Sequence, residues 1–154
     1  MFGIFKKKNK ETRPLGFEPD ENWKNIVIKG INQYDSLTFP ERIWFNIRGI
    51  IDSTNNGGLI SYYYNSGAEN VYDAIDDLKF IGFDNVAEII QNYNKILFKN
   101  SIVPKDLEER NGFINKLDEQ TDDLLQNLET DLTELIDDLE KQLEIYLKQE
   151  KLIK

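Results

Sequence analysis

Apolar side chains recur every three or four residues along most of this chain, and the interruptions are polar or glycine-rich. Trp23, Ile26, Val27, Ile31 and Tyr34 give residues 21 to 35 one apolar face despite Gly30. Thr38-Phe39-Pro40-Glu41 then has the spacing of a capping box, with Pro40 tolerated in the first turn of the helix it opens. That helix carries Phe39, Ile43, Trp44, Ile47, Ile50 and Ile51 at the 3.6-residue period. It is expected to stop at Asn55-Asn56-Gly57-Gly58, where glycine can supply a left-handed closing residue.

Leu59 to Tyr64 suits either a short helix or a strand, and a helix is preferred. Its three consecutive tyrosines would spread over about 200° of circumference, sending one or two into the core and at least one to the edge with its hydroxyl outward. Ala68 to Ile81 resumes the helical period through Val71, Ala74, Ile75 and Leu78 until Gly82. Asp84 is then placed to cap Asn85 to Phe98, whose stripe is Val86, Ile89, Ile90, Tyr93 and Leu97. No stretch keeps a two-residue alternation between turn signals, so the pattern predicts an all-α fold. It takes the form of a single compact multi-helix domain over 21 to 150, ending in a long acidic amphipathic C-terminal helix or helix pair.

In that last segment Leu117, Leu124, Leu125, Leu128, Leu132, Leu135, Ile136, Leu139, Leu143 and Tyr146 fall within an arc of about 120° at 100° per residue. The arc is wide for the narrow seam of a coiled coil and suits packing on a core, with a homodimer left open. Charge changes the picture here. Between Leu117 and Glu140 there is no Lys or Arg but there are ten carboxylates: Asp118, Glu119, Asp122, Asp123, Glu129, Asp131, Glu134, Asp137, Asp138 and Glu140. Glu119, Asp122, Asp123, Glu134, Asp137 and Glu140 are expected to point away from the stripe, with Asp131 and Asp138 flanking it. Ten charges over roughly 33 Å of helix approach the spacing of phosphates along one DNA strand, about 3.4 Å. A solvated acidic face, common in soluble proteins, accounts for the same composition.

The whole chain of 154 residues has a formal charge of −9, which argues against direct binding of nucleic acid or an anionic membrane and favours a basic protein partner. It contains no cysteine and no histidine, removing disulfides, thiolate zinc sites and Ser-His or Cys-His catalysis. Asp73 with Asp76 or Asp77, one helical turn apart, remains the candidate for carboxylate or magnesium chemistry, or a solvated helix face. Residues 1 to 20, with Lys6, Lys7, Lys8, Lys10 and Arg13, are expected to form a mobile basic tail, too short in its apolar part for a signal peptide. A cytoplasmic location is the expectation.

Asn56-Gly57-Gly58, Tyr62, Tyr63, Asn65 and Gly67 are followed by Leu78, Ile81-Gly82, Ala87 to Ile90 and Leu107-Glu108-Glu109-Arg110. Together with the acidic leucine-rich segment ending at Leu147, they resemble a bacterial family of DNA-mimic proteins that share an Asn-Gly-Gly domain of unknown function. The resemblance covers roughly residues 34 to 147. Ser53 stands where the family usually has an acidic residue, and Leu59 and Ser61 where it favours Phe and Gln. The resemblance implies an all-α fold and no catalysis, and no cofactor and no metal are expected. It also implies an acidic surface that occupies the DNA site of a regulator, nucleoid protein or nuclease. Glu119, Asp122, Asp123, Glu129, Asp131, Glu134, Asp137, Asp138 and Glu140 are the candidate partner-binding residues, while Asn56, Gly57, Gly58, Tyr62, Tyr63 and Asn65 are read first as structural and second as a ligand cradle. An immunity-type inhibitor of a secreted toxin or nuclease is the alternative function.

Overall fold

The computed structural model describes residues 21–154, and every regular element among them is helical. The expected basic tail lies outside those residues. In order the helices are α1 (Glu21–Asn32), α2 (Phe39–Gly57), α3 (Ile60–Tyr63), α4 (Val71–Phe80), α5 (Asp84–Leu97), α6 (Leu107–Asn115) and α7 (Glu119–Gln149), with 3-10 turns at Tyr34–Ser36 and Ser66–Asn70.

The helix starts follow from side-chain caps. Thr38 Oγ1 accepts the Glu41 amide at 3.4 Å while Glu41 Oε2 accepts the Thr38 amide at 2.8 Å, so both halves of the capping box form. Asp106 and Asp118 cap α6 and α7 in the same way, accepting from Glu109 N at 2.9 Å and Thr121 N at 2.7 Å. Between α4 and α5 the chain turns through Gly82 at φ 90, with Phe83 N donating to Leu78 O and Gly82 N to Lys79 O, a Schellman closure.

α2 is the central element, packed against α1, α3, α4 and α7. Its Ile43, Ile47, Ile50 and Ile51 have no exposed surface, and each contributes about 1.5–3 kcal/mol by burial. α7 lies across α2 and α5 and seals this core with Leu125, Leu132, Ile136, Leu139, Leu143, Tyr146 and Leu147.

Several boundaries differ from the sequence expectation for identifiable reasons. α1 ends at Asn32 and Tyr34 joins a 3-10 turn, which leaves Ile31 59% exposed. Gly30 is not a flaw in α1 but its contact point: a β-carbon there would come within 2.4 Å of the Phe45 ring, so only glycine lets the two helices approach this closely. The helix expected from Ala68 is 3-10 until Asn70 and α-helical only from Val71. Asp84 is the first residue of α5 rather than its cap, because the Schellman turn carries Phe83 into the capping position, where its carbonyl accepts the Ala87 amide at 3.0 Å. Leu124 lies at the edge of the α7 stripe and is 49% exposed.

Candidate protein-binding surface

The 31 residues of α7 form one uninterrupted helix that buries a leucine-rich face and turns the other outward. Glu119, Asp122, Asp123, Asp131, Glu134, Asp137 and Asp138 are all exposed. None of these seven has an ion-pair partner among the described residues; the acidic side chains of α7 that do are Glu140, with Arg48, and Glu144, with Lys148. An anionic strip therefore faces solvent in two runs, Glu119 to Asp123 and Asp131 to Asp138, with roughly 12 Å of helix between them whose exposed residues are uncharged.

Glu129 and Glu140 do not join that strip. Glu140 Oε1 accepts Arg48 Nη1 at 2.7 Å, and Arg48 also pairs with Asp52. Glu129 is half-buried and its Oε1 accepts the Leu59 backbone amide. The helical arithmetic explains both: Glu129 is four residues from Leu125 and Glu140 three from Leu143, which places each only about 40–60° from the centre of the apolar stripe. Burial, together with the neighbouring Asp122 charge, pushes the Glu129 carboxyl above the ordinary glutamate range, and the Leu59 amide only partly offsets this.

The glycine motif is where α2, α3 and α7 meet. Gly58 has φ 83, and a β-carbon there would lie 2.2 Å from Glu129 Oε1; Gly57 is still helical and needs no special conformation. Ser61 Oγ ties the turn shut through the carbonyls of Ser53 at 2.8 Å and Gly58 at 2.7 Å. Asn56 is exposed and makes no side-chain hydrogen bond within the motif. Asn65 Nδ2 donates to the Ser61 carbonyl at 2.9 Å. Tyr62 is buried with its hydroxyl donating to Gly67 O at 3.1 Å, and Tyr63, fully buried, donates to Asn94 Oδ1 and stacks on Tyr93 at 5.5 Å. Tyr64 is half-buried, yet its hydroxyl is covered rather than turned outward as expected. Ser61, Tyr62, Tyr63 and Asn65 thus brace the turn and its neighbours, while Asn56 does not.

Asp73, Asp76 and Asp77 do not converge on a common point. Asp77 is fully buried, paired with Arg42 and accepting Asn46 Nδ2 at 2.8 Å. Asp73 accepts the Tyr34 hydroxyl at 2.8 Å, while Asp76 faces solvent. Among the described residues no three Asp or Glu side chains are placed to hold a metal ion, and no helix is long and apolar enough to cross a membrane.

Among the described residues three charged side chains are buried, Arg48, Asp77 and Arg110, and the pattern of the sequence placed none of them inside. Arg110 has no exposed surface and donates only to backbone carbonyls, and the Arg42–Asp77 pair closes a chain through Asn46 to Tyr34. A basic residue in the Leu-Glu-Glu-Arg run and a lone Asp on an otherwise apolar face were the available signals. No curated protein and no solved structure matches this chain. A family model described as DMP19-like protein matches residues 35–150, from the 3-10 turn after α1 to the end of α7. The chain belongs to the DMP19-like protein family.

Proposed function

We propose that this protein is a non-enzymatic binding protein whose outer α7 face stands in for nucleic-acid phosphates and occupies the basic site of a DNA-binding protein. The family points to a DNA-mimic type of protein. The observation that carries the reading is the strip of seven exposed, unpaired carboxylates on one rigid helix. From Glu119 to Asp138 the helix rises roughly 28 Å, a mean spacing of about 5 Å between successive charges, against about 3.4 Å between phosphates along a DNA strand. A basic groove shaped for one can therefore align with the other, and the unpaired charges steer its approach.

The test is a pull-down from native lysate with the full chain and with an Asp123→Asn, Glu134→Gln, Asp137→Asn, Asp138→Asn variant, followed by titration of the recovered partner. The expected partner is a basic DNA-binding protein that duplex DNA displaces, whose affinity falls with salt more steeply for the parent than for the variant. A partner held equally by both proteins at every salt concentration, or not displaced by duplex DNA, overturns the mimic.

A further inference from the structure

Beside the glycine motif, a cleft of about 400 Å³ opens between α3, α5 and the first half of α7. Ile60 and Leu125 supply apolar wall, and Asp122, Glu129 and Tyr93 bring oxygen atoms to it. Tyr93 is only 1% exposed and its ring is fixed by stacking on Tyr63, with 3° between the planes. Its hydroxyl has no hydrogen-bond partner among the described residues, although Tyr62 and Tyr63 beside it both have one. A tyrosine buried this far ordinarily finds a partner, so an unpartnered hydroxyl at a cleft marks a place for one.

Charge gives the second, independent argument. Glu129 is half-buried with one oxygen on the Leu59 amide, Asp122 holds Gln126 Nε2 at 2.8 Å, and no lysine or arginine of the described chain pairs with either carboxylate. A half-buried carboxylate normally faces a cation. Burial and Asp122 together disfavour the Glu129 charge as the protein stands, so a cation entering here would relieve both. The cleft brings only two carboxylates together, and among the described residues no three Asp or Glu side chains are placed to hold a metal ion. A guanidinium suits this lining: its several N–H donors can serve more than one acceptor at once, and its weakly hydrated faces tolerate contact with Ile60 and Leu125.

We propose that this cleft receives a single arginine side chain of the basic partner and serves as an anchor beside the outer acidic strip. The inference rests on the reading of the protein as a binder of a basic partner, and names the side chain that partner inserts. The strip supplies long-range attraction, whereas the cleft supplies a fixed contact that duplex phosphates could not imitate alone.

The probe is N-acetyl-arginine methylamide, titrated into the full-length protein carrying 13C at tyrosine Cζ, with the Tyr93 resonance assigned by its loss in Tyr93→Phe. A saturable shift of Tyr93 is expected, with the millimolar affinity suited to so small a ligand. The neutral isostere N-acetyl-citrulline methylamide should leave that resonance unmoved, and Asp122→Asn should weaken the arginine titration about fivefold at an unchanged melting temperature. An unmoved Tyr93, an equal response to citrulline or to N-acetyl-lysine methylamide, or full affinity in Asp122→Asn overturns the proposal. No partner is present in this titration, so its outcome is separate from that of the strip variant, which leaves Asp122, Glu129 and Tyr93 untouched.

Discussion

Arg110 Nε donates to the carbonyl of Tyr63 at 3.0 Å, although 47 residues separate them. Its other N–H groups reach the carbonyls of Asn65 at 3.0 Å, Pro104 at 2.9 Å and Lys105 at 2.7 Å, and no carboxylate pairs with it. A fully buried cation is thus held by backbone dipoles from two segments, which fixes the α3 end against the start of α6. Arg110→Lys should lower stability by about 3 kcal/mol, because an ammonium cannot spread its donors over four diverging carbonyls. The midpoint of urea unfolding measures it. A midpoint equal to the parent's would mean that these carbonyls are satisfied by water.

Glu129 couples stability to pH in the opposite sense from a salt-bridged acid. Its carboxyl lies above the ordinary glutamate value of 4.5 in the folded chain, so the fold holds more protons than the unfolded chain in the window between the two. The stability from this group is complete below the unfolded value and is lost as pH rises through the raised folded one. Glu129→Gln keeps an acceptor for the Leu59 amide without the charge. Thermal unfolding should place this variant at or above the parent at neutral pH, with the gap closing as pH falls towards the ordinary glutamate range.

The two glycines of the motif should respond differently to alanine. Gly58→Ala places a β-carbon against the Glu129 carboxylate at φ 83 and should cost about 1–3 kcal/mol. Gly57→Ala, inside the last turn of α2, should be neutral or slightly stabilising, since alanine is the better helix former. Calorimetric melts of the pair decide it: equal losses would locate the strained residue elsewhere in the turn.

Charge and packing on α7 should separate cleanly. The strip variant removes like charges from exposed positions and should melt at or above the parent temperature. Leu132→Ala, at a position with no exposed surface, should lose about 2–5 kcal/mol. Chemical denaturation of both gives the comparison; a strip variant that unfolds as readily as Leu132→Ala would show that its acids hold the fold together.

Helices and their starts were legible because capping chemistry is local: the Thr38–Glu41 box and the α7 stripe follow from spacing alone. What spacing hides is which flank of a stripe meets a neighbour. Glu129 and Glu140 read as partner-binding candidates, yet each lies within one side chain's reach of α2 or α3, where the Leu59 amide and Arg48 meet them. Gly30 looked like an interruption because its purpose is set by Phe45, a residue on another helix. The Tyr93 cleft was invisible for the same reason, since its walls come from three helices whose packing no one-dimensional pattern encodes.

The chain has two tryptophans, and both sit at one seam: Trp23 of α1 faces Trp44 of α2 with ring centroids 5.3 Å apart. α1 is the thinly held element here, with only Ile26 and Gly30 buried, and it precedes the family-matched region. Indole fluorescence therefore reports the detachment of α1, through Trp23 and the uncovering of Trp44, before it reports the melting of α2. In a denaturant titration the emission change should precede the loss of far-ultraviolet ellipticity, and amides of α1 should exchange with solvent ahead of those in α2 and α7. An apparent two-step unfolding curve in this protein would then describe a peripheral helix leaving an intact bundle, with no folding intermediate of the core implied.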